Sequence, residues 1–340
     1  MVEDVPKTES SARSARMLKA VAGILLLGAG AAAAAGWPFV SAAVPERPRP
    51  REVRFTYVAQ VPGIPNGARE LRVWVPLART CREQEILSRD VRSPLPYTVT
   101  QDQEFGNEML HLSVDSPLPE SFAVTIEYRA QLPGPDGDPP PTPEELVRSL
   151  EPRGLVIVDA EVRERARHAA ARRATRTEQA RGIYEAVIRQ VAYDKTVPGW
   201  GRGDTRRVCL LGAGNCTDFH SLFISMARAQ RIPARFKIGI VIPETGSGTI
   251  PGYHCWAEFY DERAGWAPVD ASEAWKRPEQ EDDYFGTHDP NRLLLSVGRD
   301  IQLSPRPQGG PVNIFFYPHV EVDGLVIDGV ETELRYQVLL

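Results

Sequence analysis

Residues 212–220 read Gly-Ala-Gly-Asn-Cys-Thr-Asp-Phe-His, and the chain turns helical within them. Phe219, Leu222, Phe223, Met226 and Ala227 recur at the i, i+3, i+4, i+7, i+8 spacing of an amphipathic helix, so the helix opens at Cys216. A thiol attacks carbon only as its thiolate. A helix amino terminus favours that anion through its unpaired N–H groups and the helix dipole. Gly212, Gly214 and Asn215 let backbone and substrate approach the thiol closely. A cysteine at a helix start is also compatible with an inert buried thiol, so the reading turns on its partners.

Downstream, Tyr253-His254-Cys255-Trp256-Ala257-Glu258-Phe259-Tyr260 has the alternation of a strand, with His254 on one face and Cys255 on the other. Asp261-Glu262-Arg263-Ala264-Gly265 is turn chemistry, and Trp266 to Asp270 returns as an antiparallel strand. A hairpin centred near Glu262 sets His254 directly opposite Asp270, with Cβ atoms about 4.5–5.5 Å apart. A carboxylate there would fix the imidazole tautomer and stabilise the imidazolium formed when His254 takes the thiol proton. A register different by one residue would turn Asp270 to the wrong face. Phe236 to Ile242 reads as a further strand.

A metal site is the rival use of these residues. Cys216 and His220 stand four apart on the helix, and Cys209 with His254 or Cys255 could complete a tetrahedron. The spacings are not those of zinc motifs, and a triad uses the residues more economically. The expectation is no metal and no cofactor. Asp218 and Glu258 read as satisfied polar neighbours, Trp256 and Trp266 as core aromatics.

Upstream, residues 159–173 are rich in Ala, Arg and Glu. Thr177 is placed to cap a second helix whose face is Ala180, Ile183, Tyr184, Val187, Ile188 and Val191. That face is a core face. Residues 132–145 carry Pro133, Pro135, Pro139, Pro140 and Pro141 and form a linker. Residues 51–131 alternate as strands around Val53–Tyr57, Leu71–Val75, Met109–Val114 and Phe122–Tyr128, a small antiparallel β domain. Residues 146–340 form the second domain, and its tail from Asn291, including a strand over Val312–Val320, is expected to complete that domain's sheet and line its cleft.

Leu18–Val40 is one apolar run long enough to cross a bilayer, preceded by Arg13 and Arg16 and followed by Arg47, Arg49 and Arg51. Residues 1–43 are read as a signal peptide, with cleavage after Ser41-Ala42-Ala43, or as an uncleaved membrane anchor. Residues 44–50, Val-Pro-Glu-Arg-Pro-Arg-Pro, form a stiff spacer, so the domains are expected in the cell envelope, periplasmic or extracytoplasmic. A net charge of -5 provides no basic field, which argues against nucleic acid as a partner. Four cysteines in 340 residues are too few for a disulfide scaffold; a bridge among Cys81, Cys209 and Cys255 stays open.

Four segments together, Gly-Asn-Cys-Thr-Asp-Phe-His, Arg231-Ile232-Pro233-Ala234-Arg235, Tyr-His-Cys-Trp-Ala-Glu and Gly265-Trp266-Ala267-Pro268-Val269-Asp270, resemble in order and spacing the core of the transglutaminase-like superfamily. The likeness is dense from about residue 175 to 275, and the β domain resembles amino-terminal domains of bacterial members. It implies an α+β fold, a papain-like core of helices packed on an antiparallel sheet after a β-sandwich-like domain. It further implies Cys216 as nucleophile, His254 as general base and acid, and Asp270 as the orienting residue. A peptide or protein amide would pass through a thioester acyl-enzyme. Hydrolysis, by a peptidase or deamidase, is favoured over crosslinking acyl transfer; a catalytically silent binding module is the other alternative. By the same analogy the Cys216 N–H is one oxyanion donor, and Trp200 is the guess for the second.

Overall fold

Val53, Phe55, Tyr57 and Ala59 alternate along β1 (Arg51–Val61) and are buried on one face. The protein is described by a computed structural model over residues 50–135 and 137–339. After β1 come β2 (Glu70–Leu77), β3 (Glu85–Arg92), β4 (Thr98–Gln101), β5 (Glu108–Asp115) and β6 (Phe122–Leu132). Helices α1 (Pro143–Arg148), α2 (Ala160–Ala169) and α3 (Arg176–Gln190) lead to the short β7 (Ala192–Tyr193), α4 (Thr205–Leu211), β8 (Ala213–Gly214) and α5 (Cys216–Ala229). Next in the chain are β9 (Ala234–Val241), β10 (Ser247–Thr249), β11 (His254–Asp261), β12 (Gly265–Val269), α6 (Ala271–Lys276), a 3-10 helix (Pro278–Tyr284) and β13 (Arg292–Val297). The chain ends with β14 (His319–Val322), β15 (Leu325–Val326) and β16 (Glu331–Val338).

This is an α+β fold whose three larger sheets are antiparallel, while β7 and β8 pair in parallel. One sheet has the order β12-β11-β9-β13, and α5 packs on β11 and β9. The helix face anticipated from its periodicity is the buried one: Phe219, Leu222, Phe223, Met226 and Ala227 all lie in the main core. Burial of each large side chain there contributes roughly 1.5–3 kcal/mol, which holds the helix start against the sheet.

Two further sheets, β10-β16-β1-β6-β3 and β15-β14-β2-β5-β4, share the apolar side chains of β1, β2, β5 and β6. The tail departs from expectation here. Only β13 joins the sheet beside α5; β14 pairs with β2 (Val320 opposite Val73) and β16 with β1 (Val53 opposite Val338). The expected strand over Val312–Val320 is reduced to a lone bridge between Val312 and Ile301, and the strand proper begins at His319. Without these partners β1 and β2 would each present an open edge. Strands β3 and β4 were not apparent in the sequence, because both are edge strands with mostly exposed or half-buried side chains and no buried face to imprint an alternation.

Helix α3 is capped by Thr175, not Thr177. The Thr175 hydroxyl accepts from Glu178 N at 3.2 Å and the Glu178 carboxylate accepts from Thr175 N at 2.9 Å. A capping box needs an acidic or amide side chain three residues on, which Thr177 lacks because Ala180 stands there. Helix α2 stops at Ala169, short of residue 173, and Arg172 is left-handed at φ 62°. All four cysteines are free thiols. The apolar run Leu18–Val40 lies outside the described residues; among the described residues no helix is long and apolar enough to cross a membrane.

Candidate active site

Cys216 is the first residue of α5 and is 2% exposed. Asn215 caps the helix, its Oδ1 accepting from Thr217 N at 3.0 Å, while Asp218 accepts from Asn215 N at 3.0 Å. The fully buried Asp218 also accepts from Gly201 N at 2.7 Å and Gly203 N at 3.1 Å, and pairs with Arg207 at 2.8 Å. It therefore ties the Trp200–Gly203 loop to the helix start and acts as a positioning residue. Gly214 makes room for it, since a Cβ there would sit 2.2 Å from Asp218 Oδ2.

His254 Nε2 lies 2.6 Å from Asp270 Oδ2. The contact forms in a register two residues away from the expected one. Ala257 pairs with Val269, so continued pairing would set Asp270 opposite Trp256 and not His254. A shift of two keeps the parity, and both side chains stay on one face. Asp270 reaches His254 diagonally, because it leaves the strand to cap α6, its Oδ1 accepting from Glu273 N at 3.0 Å and Ser272 Oγ at 2.8 Å. With Nε2 engaged, Nδ1 is the ring nitrogen left for the Cys216 thiol. As alternation required, Cys255 faces the α5 core while the His254 ring stacks near Trp256, centroids 6.4 Å apart.

Burial alone would keep Cys216 protonated. The neighbouring Cys255 and His254, then the charges of His254 and His220, outweigh it and hold the thiol well below its ordinary range. Burial likewise disfavours a charged His254, but the Asp270 carboxylate beside it pushes the imidazole up to about 9. Burial opposes ionisation of Asp270 too; His254 and Arg292 nonetheless keep it well below the usual carboxylate range. Both shifts favour a thiolate–imidazolium pair at neutral pH. A reaction that draws on the His254 proton should slow as pH rises through about 9, where the imidazole loses it. The same shift stabilises the fold fully below the ordinary imidazole range and ceases to do so as pH rises through about 9. A pH–rate profile whose alkaline limb stayed near 6.5 would contradict this pairing.

Sequence reasoning missed two residues and underrated a third. Arg292 is fully buried with Nη1 2.7 Å from Asp270 Oδ2, and its guanidinium lies 5.1 Å from the Trp256 ring centroid. A lone arginine heading the buried run Leu293-Leu294-Leu295 was the available signal. Tyr253 Oη bonds Asn215 and Thr217, on either side of the thiol. His220, read only as a helix-face residue or zinc ligand, is buried with Nε2 3.4 Å from Asp270 Oδ1. Cys209 sits apart on α4, half-buried, its carbonyl accepting from Arg165. No group of three His, Cys, Asp or Glu side chains suited to a metal ion occurs among the described residues. Glu258 turns out to be structural, bonded to Arg82, Arg235 and Lys237. Trp256 and Trp266 are buried core aromatics.

Residues 163–271 match the core of the transglutaminase-like superfamily, a span that begins in α2 and ends just past Asp270. An uncharacterized protein of Haemophilus influenzae is 32% identical over 175 residues, 42% of this chain and 47% of that protein. The chain therefore spans about half the length of that curated relative. Among solved structures, a candidate cysteine protease from Cytophaga hutchinsonii superposes with a TM-score of 0.55 at 13% identity, over 86% of this chain and 99% of that one. The two share a fold.

Proposed function

We propose, from the match of residues 163–271 to the transglutaminase-like superfamily core, that the protein is a cysteine-dependent enzyme that cleaves amide bonds of peptides or proteins through a Cys216 thioester. The observation that carries this reading is Cys216 at the start of α5, its thiol held below the ordinary range, with His254 bonded to the buried Asp270 carboxylate at 2.6 Å. In the reaction, Cys216 sulfur attacks the carbonyl carbon and the His254 proton goes to the departing amine. The thioester is then resolved by a second nucleophile, with His254 as its general base.

Hydrolysis is preferred to acyl transfer, giving a peptidase or a deamidase. In the cell envelope, where the apolar run Leu18–Val40 is proposed to place the enzyme, water is in large excess over any amine unless the site excludes it. Two half-exposed aromatic side chains, Trp200 at 40% next to the Asp218-bound Gly201 and Tyr317 at 48% packed on Tyr253, suit a peptide chain. Incubating the purified protein with a diverse peptide library, with and without a labelled primary amine, tests the proposal by mass. New amino termini are the expected product of a peptidase and a gain of about 1 Da at Gln or Asn that of a deamidase, both requiring Cys216. Amine incorporation in place of hydrolysis would establish the crosslinking reaction instead, and no product from a protein with an intact thiol would leave a binding module.

A further inference from the structure

Resting on the acyl-enzyme reading above, we propose that the Tyr253 hydroxyl, together with the Cys216 backbone N–H, forms the oxyanion hole. The hydrogen bonds around Tyr253 run in one direction. Cys255 Sγ donates to Thr217 Oγ1 at 3.6 Å, and Thr217 Oγ1 donates to Tyr253 Oη at 3.1 Å. Asn215 Nδ2 donates to the same oxygen at 2.9 Å. Two incoming protons occupy the two lone pairs of Tyr253 Oη, so its own proton is left to donate. Among the described residues nothing accepts it.

The position of this donor is set by what it bonds. Asn215 and Thr217 flank the nucleophile in the chain, so Tyr253 Oη spans the turn of backbone that carries Cys216. That turn exposes a second free donor: Thr217 N is taken by Asn215 Oδ1 and Asp218 N by the Asn215 carbonyl, while the Cys216 N–H has no acceptor among the described residues. The hydroxyl is held against movement on its other side by the loop. A Cβ on Gly201 would come within 3.3 Å of both Tyr253 Oη and Asn215 Nδ2. The ring packs on Phe316 and Tyr317, with centroids 5.5 and 6.2 Å away. Burial and the nearby Cys216 charge push the phenol up, which keeps its proton in place.

When the Cys216 sulfur bonds to the carbonyl carbon, the C=O π pair moves onto oxygen. The hydroxyl and the N–H then face a full negative charge instead of a carbonyl dipole. On collapse the π bond re-forms and the leaving group departs with its electron pair, so the donors stabilise the transition state more than the ground state. Trp200, the donor guessed from analogy, is half-exposed and its ring lies 5.7 Å from Lys195 Nζ.

Two probes separate this role from that of the thiolate. Iodoacetamide reacts by displacement at a saturated carbon and forms no oxyanion; p-nitrophenyl acetate acylates Cys216 through one. Tyr253→Phe should slow acylation by about 10²–10³-fold and leave alkylation of Cys216 within about twofold of wild type. Equal loss of both rates would make Tyr253 a support for the helix start and overturn the proposal. Full acylation in Tyr253→Phe, or the loss appearing in Trp200→Phe instead, would overturn it too. If Cys216→Ala were acylated as fast as wild type, the acyl-enzyme reading itself would fail, a separate outcome. Placing 3-fluorotyrosine at position 253 provides a second measurement that keeps the ring and its packing. The fluorophenol keeps its proton at neutral pH and is the stronger donor, so acylation should be retained or raised where Tyr253→Phe loses it. A loss in the 3-fluorotyrosine protein as deep as in Tyr253→Phe would count against the donor.

Discussion

Cys216→Ala is expected to lose amide turnover by about 10⁴-fold or more, equivalent to about 5.5 kcal/mol of transition-state stabilisation, with little change in unfolding midpoint. The side chain is small, and its expected value lies in chemistry, since Cys255 and His254, the latter kept charged by Asp270, hold the thiol low against a burial that opposes it. Cys255 is no substitute. It lies deeper in the core, and burial together with the neighbouring Cys216 charge keeps its thiol well above the ordinary range. The measurement is kcat on whichever peptide the library identifies, with a thermal melt to show that the fold persists. Residual turnover above about one part in a hundred would move the nucleophile away from Cys216. His254→Ala should lose nearly as much and also slow alkylation of Cys216, because residues acting as one unit do not contribute additively.

The second large effect concerns stability. Glu258→Ala should cost about 3–5 kcal/mol in urea unfolding at neutral pH. Glu258 is 0% exposed on β11, with Oε2 2.6 Å from Arg235 Nε, and Oε1 2.8 Å from Arg82 and 2.9 Å from Lys237 Nζ. Arg235 also binds Asp138 at 2.7 Å and Glu145 at 2.8 Å, and Lys237 binds Glu83 at 2.8 Å. The network therefore joins the loop after β2, the proline-rich linker and the sheet beneath α5. Removing one carboxylate leaves a buried lysine and arginine short of a partner, which costs far more than a surface ion pair. Burial raises the Glu258 carboxyl, but Arg235 and Lys237 more than offset that and hold it below the usual range. Its contribution is thus present above the ordinary carboxylate range and lost as pH falls. A loss below about 1 kcal/mol would mean that the remaining carboxylates compensate, and the network would then be worth no more than exposed pairs.

Local signals carried much of the chemistry in the sequence. The helix beginning at Cys216, the strand bearing His254 and the turn ahead of Asp270 each depend on neighbours within a few residues, through periodicity, capping and turn residues, so the four linked segments were legible without coordinates. Tertiary packing decided the rest. The β11–β12 register differs by two from the one a turn centred on Glu262 suggests, because Asp261 pairs with Gly265 across a turn centred on Arg263, and Asp270 reaches His254 only because it leaves the sheet to cap α6. Arg292 reaches Asp270 only because β13 pairs with β9, and Tyr253 meets Asn215 only because β11 lies against α5. Likewise β16 closes the sheet of β1 from the far end of the chain. Such contacts join groups distant along the chain, and their partners are chosen by which buried charges, free donors and open strand edges the fold brings face to face, information that no local pattern of residues contains.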